Sequence, residues 1–281
     1  MCRWLVHGIC IVSALKVLTI MSTSPEIEAD VPHFNFTTVT GYFQHDSEPI
    51  GPEFRATTTP YLGLVHRSYD TDSQFDPDSK KPQWSRFEHH LDHLNQKDPQ
   101  NTKYKVIYLA RHGQGHHNVQ ESLVGRAAWE SYWSRLDGNA ERTWADAHLT
   151  TLGIQQAKAL NAFWRDASED GAVPWPSKYY TSPLTRCLET VDATFSGLAQ
   201  PVEKPFRPVI KEALRERYGV HTCDRRRNLD FIKEQFPNYV VEEGFSAEDA
   251  LWTRDVRESL DGHVQRMKTF LDDIFLHEED V

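Results

Sequence analysis

Five apolar residues, Val106-Ile107-Tyr108-Leu109-Ala110, run directly into Arg111-His112-Gly113-Gln114-Gly115-His116-His117-Asn118. A run that is apolar on both alternating faces is the pattern of a central strand covered by helices on both sides, and it commits the chain to an α/β sheet. His112 then leaves the carboxyl end of that strand, where ligand crevices of open α/β sheets form. The two glycines let backbone amides approach an anion with no Cβ in the way. Arg111 adds a fixed positive charge whose planar fork matches two phosphoryl oxygens. A neutral imidazole, with an ordinary pKa of about 6.5, is a competent nucleophile near neutrality. The segment reads as an anion clamp beside a nucleophile.

A second cation is placed by its own surroundings. Tyr179-Tyr180-Thr181 predicts a short strand, Ser182 an N-cap and Pro183 the first helical position. Leu184, Leu188, Val191 and Phe195 continue at helical spacing, so Arg186 falls in a first turn that itself favours an anion. The alternative is a surface arginine in an ion pair. Thr150 opens another helix whose Ala157, Leu160 and Phe163 face the sheet, with Trp164 beside them. Ser246 and Asp249 form a capping-box pattern that predicts a helix, and Val264, Met267, Leu271 and Ile274 mark the apolar face of a final one. Glu212 and Glu216 lie one helical turn apart, and on these grounds either is an ordinary solvated carboxylate. His116 and His117 either bind a ligand or cap the helix that follows them. His221 and the Arg225-Arg226-Arg227 run either line a ligand loop or form a solvated face.

Four segments follow one another in a telling order: Arg111-His112-Gly113 with Asn118 beyond it, Leu149-Thr150-Thr151-Leu152-Gly153-Ile154-Gln155-Gln156-Ala157, Ser182-Pro183-Leu184-Thr185-Arg186, and Leu214-Arg215-Glu216-Arg217-Tyr218-Gly219. In these the chain resembles the histidine phosphatase, or phosphoglycerate mutase-like, superfamily. Gly219-Val220-His221-Thr222-Cys223-Asp224-Arg225-Arg226 is similar to its fungal phosphomutase-like branch, a likeness running from about Phe34 to the last residue. The resemblance implies an α/β fold, the three-layer α/β/α phosphoglycerate mutase-like sheet. It implies hydrolysis of a small phosphate ester through a phosphohistidine at His112, with Glu216 as proton donor to the leaving oxygen. Arg111, Asn118 and Arg186 become substrate-binding residues, and His221, Arg225 and Arg226 a further substrate loop. No cofactor and no metal is called for. The chemistry is consistent with these roles, since phosphoryl transfer needs positive charge around the equatorial oxygens and an acid in line with the nucleophile. Phosphatase is favoured over mutase, because a mutase must shield its phosphoenzyme from water and nothing in the sequence identifies so closed a site.

One departure from the family stands out. Its second catalytic histidine follows a later apolar strand in a Ser-His-Gly or His-Ser-Gly setting. Here His263 and His277 lack both the strand and the small-residue turn. The expectation is therefore a sheet lacking its C-terminal strands and helix, truncated at the carboxyl end. A non-catalytic phosphate-ligand-binding remnant is the alternative function.

With 281 residues, 39% hydrophobic and 26% charged, the chain can bury one sizeable core. Its formal net charge of −10 argues against nucleic acid as a general partner, but not against an anionic substrate held by local arginines. Residues 1–20 read as an uncertain leader, either signal-like or an extension upstream of Met21. Lys16 within it would cost about 2.5–3.5 kcal/mol in a membrane span, so no stable span is expected. The expected location is cytoplasmic, or secreted if residues 1–20 are a signal peptide, in which case the Asn35-Phe36-Thr37 sequon matters. Residues 21–95 read as an N-terminal arm packing on the core and residues 96–281 as the incomplete phosphatase core. Cys187 and Cys223 make no disulfide framework. His89 and His93, one helical turn apart near Asp92, raise a third reading, a histidine-based metallohydrolase, but no third strong ligand stands at fixed spacing.

Overall fold

The computed structural model describes residues 12–22, 34–46, 59–169 and 173–277. The protein is a mixed α/β structure whose chain divides into two compact units, one of Ile11–Ala110, Arg165–Ser177 and Leu271–Val281, the other containing Arg111–Trp164 and Lys178–Phe270.

In the first unit three strands, β1 (Val12–Ser22), β2 (Phe34–Val39) and β3 (Thr102–Ala110), form an antiparallel sheet in the order β2-β1-β3. Val17 pairs with Val39 on one side and with Val106 on the other. This corrects the expectation for residues 106–110. They belong to an edge strand of an antiparallel sheet, not a central parallel one, and Leu109 is 46% exposed. The apolar run is matched instead by β1, drawn from a stretch that the sequence reading assigned in large part to a leader. Met21 pairs with both Asn35 and Thr102; residues 1–11 lie outside the described residues. Helix α1 (Asp72–Phe75) and the longer α2 (Gln83–Lys97) precede β3 in the chain. Trp84, Phe87 and Leu91 on α2 are buried, as are Tyr42, Phe43, Leu62 and Leu64. His89 stacks on Phe75 with ring centroids 3.9 Å apart, so packing explains it without a metal.

In the second unit β4 (Tyr180–Thr181), β5 (Val209–Ile210) and β6 (Val240–Val241) form a short parallel sheet. Helices α3 (His116–Val124), α4 (Arg126–Ser131), α6 (Thr185–Phe195) and α7 (Leu229–Gln235) lie in this unit, as do α5 (Thr151–Glu169) up to Trp164 and α8 (Leu260–His277) up to Phe270. One buried cluster joins Trp129, Trp144, Ala147 and Cys223, and another joins Leu188, Ile210 and Ile232. Ala157 and Leu160 are buried along α5 as its spacing predicts, Phe163 is only half-buried, and Trp164 beside them is buried. On α8 the apolar face is narrower than predicted, with Val264 exposed and Phe270 and Ile274 buried. Ser246 and Asp249 start no helix. Asp249 instead accepts from Arg215, from the Arg226 N–H and from the Leu251 and Trp252 N–H groups that follow it, rather than reaching back to the Ser246 N–H as a capping box requires. No helix among the described residues is long and apolar enough to cross a membrane.

The first turn of α5 lies unusually close to the loop after Arg111. A Cβ on Gly153 would sit 2.2 Å from the Gln114 carbonyl oxygen, and one on Gly113 would sit 2.4 Å from the Gly153 oxygen. Backbone meets backbone there, so no side chain can swing away. Gly153→Ala should destabilise the protein by about 1–3 kcal/mol, as overpacking at a rigid contact does. A urea midpoint unchanged from wild type would refute this account.

Candidate active site

The site is built from five backbone segments of the second unit, and its first component is the loop after Arg111. Gly113 N–H donates to Thr190 Oγ1 (3.0 Å), Gln114 N–H to Gln156 Oε1 (2.8 Å), Gly115 N–H to Asn118 Oδ1 (2.9 Å) and His116 N–H to the His148 carbonyl (3.0 Å). These four amides are therefore committed to holding the loop. The expected cradle of backbone amides does not exist at Gly113 and Gly115. The glycines serve close packing, and the positive charge at the site is carried by arginines. The Asn118 side chain accepts from the Gly115 N–H and so shapes the turn that enters α3.

His112 Nδ1 lies 2.7 Å from the Gly113 carbonyl oxygen. A carbonyl can only accept, so Nδ1 carries the proton and Nε2 keeps its lone pair. Burial lowers the His112 pKa to about 4, with the Arg186 charge acting in the same direction against Glu216. The imidazole is neutral near pH 7 and keeps its lone pair on Nε2.

Arg186 stands on the first turn of α6 with no exposure to solvent. Its Nη1 donates to the Cys223 carbonyl (2.6 Å), and its Nη2 to Glu216 (2.7 Å) and Asp224 (3.0 Å). Its Nε has no partner. Ser182 is not the helix cap that the sequence suggested. Helix α6 begins at Thr185, whose N–H and hydroxyl both donate to buried Asp146, at 2.9 and 2.6 Å. A carboxylate from a distant loop outcompetes the local hydroxyl because it accepts both bonds with a full charge.

Glu216 lies on a loop braced from three sides. Arg215 is clamped by Asp249 at 2.8 and 2.7 Å, Arg226 by Glu212, and Arg266 of α8 donates to the Ala213 and Arg215 carbonyls at 2.7 and 2.9 Å. This separates the two glutamates: Glu212 is consumed in bracing, and Glu216 reaches Arg186. The Glu216 side chain is 58% exposed, yet its carboxylate end meets Arg186. Desolvation opposes its ionisation, but Arg186, then His112 and His117, outweigh it and hold the carboxyl well below the usual range.

The structure brings together His112, Arg186, Glu216 and His117, all electrostatically coupled to one another and, through the imidazoles, to Arg111. Arg226 is turned inward, its guanidinium 4.1 Å from the Phe245 ring centroid and bonded to Glu212, Ser246 and Glu248. Arg225 lies over Trp252 and donates to Asp137 at 3.0 Å. Buried His221 contacts Glu130 at 3.1 Å. Asp146 and Asp224 were missed by sequence reasoning, since an isolated Asp carries no local signal of whom it will meet. His221, Cys223 and Asp224 could hold a metal by proximity, within 4.8 Å. Asp224 is already claimed by Arg186 and Arg257, two cations a metal would have to face. Burial pushes the Cys187 thiol up to about 11 and that of Cys223 well above its ordinary value, which leaves neither as a thiolate near neutrality.

A match to the histidine phosphatase superfamily (branch 1) spans residues 107–280. The chain belongs to the histidine phosphatase superfamily. It is similar to a probable phosphoglycerate mutase of Arthroderma benhamiae, 45% identical over 267 residues that cover 93% of this chain and 79% of that protein. It is 38% identical to phosphomutase-like protein 3 of Candida albicans over 172 residues, 61% of this chain and 52% of that one. A probable phosphoglycerate mutase of Saccharomyces cerevisiae is 34% identical over 198 residues, 60% of this chain and 66% of its own length. Membership in the histidine phosphatase superfamily supports phosphoryl transfer as the class of chemistry, and the phosphomutase-like relatives agree with the fungal branch named from the sequence.

Two outcomes test the supports of this phosphatase-type site. Asp146→Ala leaves the buried Thr185 donors unmatched at the helix that carries Arg186, and should cost about 1–3 kcal/mol in urea unfolding. His148 Nδ1 lies 2.6 Å from Glu189, whose hydrogen bond raises the His148 pKa above 6.5. A raised folded pKa stabilises fully below the unfolded value and loses that contribution as pH rises through the folded one. His148→Gln should therefore cost more stability at about pH 5.5 than at about pH 8.5, and equal costs would exclude the pairing.

Proposed function

We propose that the protein hydrolyses a small phosphate monoester through a phosphohistidine on His112. The observation that carries this reading is the pairing of a fully buried guanidinium, Arg186, whose Nε has no partner, with an imidazole fixed as an Nε2 nucleophile. Arg111 and Arg186 take the phosphoryl oxygens. Nε2 attacks phosphorus, the bond to the ester oxygen breaks, and that oxygen leaves with a proton from Glu216. Water then cleaves the phosphorus–nitrogen bond, and Glu216 takes back a proton from it.

Glu216 is ionised at rest, so the proton must come with the substrate. Phosphoryl oxygens compete with Glu216 for Arg186, and a carboxylate that loses its guanidinium partner binds a proton more readily. A phosphate ester monoanion, whose second ionisation lies at about 6, is the fitting donor. The remaining basic residues, His221, Arg225 and Arg226, are a weaker fit to a substrate loop, because each already has a partner within the protein.

The mechanism is tested by rapid quench. A burst of acid-labile, base-stable phosphoenzyme is expected in wild type and none in His112→Asn; ester binding without a burst would favour a non-catalytic binder. The pH profile of kcat/KM should be bell-shaped, rising through the His112 pKa of about 4 and falling through the ester ionisation at about 6. Glu216→Gln should lose about 10²–10⁴ in kcat with an alkyl phosphate, the usual worth of a positioned acid. It should lose far less with p-nitrophenyl phosphate, whose leaving group needs no proton.

A further inference from the structure

The phosphoryl-transfer scheme uses neither of the two histidines that open α3, and of the two it is His117 that is buried. It is 6% exposed, and its ring centroid lies 5.4 Å from that of His112. Capping does not explain it, since the Asn118 side chain takes the Gly115 N–H and the His116 amide goes to the His148 carbonyl. Packing alone does not explain it either. Its Nδ1 is buried with no hydrogen-bond partner, a state rare for polar groups in native interiors and one an apolar ring of the same shape would avoid. The loop is also shaped around this ring: a Cβ on Gly115 would lie 2.6 Å from Nδ1.

We propose that the imidazole of His117 is a direct ligand of the phosphoryl group held by Arg111 and Arg186, an inference that rests on the phosphoryl-transfer reading of the site. A neutral imidazole has one N–H and one lone pair. An unmatched acceptor is better tolerated in a buried place than an unmatched donor. Nδ1 therefore keeps the lone pair, and Nε2–H is left to donate to a phosphoryl oxygen. The two histidines act as complements, His112 offering a lone pair to phosphorus and His117 a proton donor to its oxygen. The electrostatic setting agrees: burial holds His117 neutral, reinforced by the charges of Arg186 and Arg111, and an incoming phosphoryl anion offsets those charges. His117 then gains affinity for a proton as the ligand arrives.

The test measures binding apart from turnover. Orthovanadate and inorganic phosphate are titrated into wild type, His117→Phe and His117→Gln, with near-ultraviolet circular dichroism of the tryptophans as the check on folding. Loss of a hydrogen bond to a charged group should weaken orthovanadate binding by about 10–100-fold in His117→Phe. His117→Gln, which restores an N–H donor, should recover part of the loss, and kcat should fall more than KM rises. Nitrogen-15 spectra of wild type with inorganic phosphate decide the matter even if the variants fail to fold, because the His117 Nε2 resonance must move on binding. Unchanged vanadate affinity in folded His117→Phe, or unmoved His117 resonances, overturns the role of His117 while a His112 burst leaves the hydrolysis scheme standing. Failure of wild type to bind either anion overturns both.

Discussion

A guanidinium taken wholly out of water costs several kcal/mol unless opposite charge and hydrogen-bond acceptors come to meet it. Arg186 has no solvent exposure, and much of the second unit can be read as the set of groups that meet it. Asp224 and Glu216 supply charge, the Cys223 carbonyl supplies an acceptor, and Asp146 holds the turn of α6 on which the arginine stands. Asp224 is held in turn by Arg257 at 2.8 Å, and the Glu216 loop by Arg215, Arg226 and Arg266. The polar network is extended because each buried charge recruits the next.

The same constraint gives the site its chemistry. Beside buried Arg186, half-buried His112 and buried His117 stay neutral, and Glu216 stays ionised. In the proposed mechanism that resting state suits His112 as nucleophile and withholds the acid until an anion enters, so that ligand binding and acid formation become one electrostatic event, the transfer of Arg186 from a carboxylate to a phosphoryl group. The loop after Arg111 contributes rigidity to this arrangement and little charge, since its amides are spent on Thr190, Gln156, Asn118 and the His148 carbonyl.

The chemistry-bearing residues were legible because their signals are local. Arg-His-Gly at a strand end and an arginine early in a helix are patterns within a few residues, and the order of the four segments led to the superfamily. Where the reading failed, a distant partner had won. Ser182 lost the cap of α6 to Asp146, thirty-odd residues earlier in the chain. Asp249 gave up a capping box to clamp Arg215. The apolar run before Arg111 was read as doubly covered, and it became an edge strand because β1, from a stretch read largely as a leader, pairs with it. Gly113, which suggested room for an anion, is instead required, together with Gly153, by the approach of two backbones.

What the sequence determined by itself is the inventory: an imidazole at a strand end, two arginines, an acidic residue and the elements that carry them, because propensity and motif spacing act over a turn or a strand. Tertiary structure decided which carboxylate serves the site, separating Glu216 from Glu212, and which histidine joins His112, separating His117 from His116. It also decided the charge each group carries. Those choices depend on burial and on partners remote in the chain, and desolvation and Coulomb interactions act through space, not along the sequence.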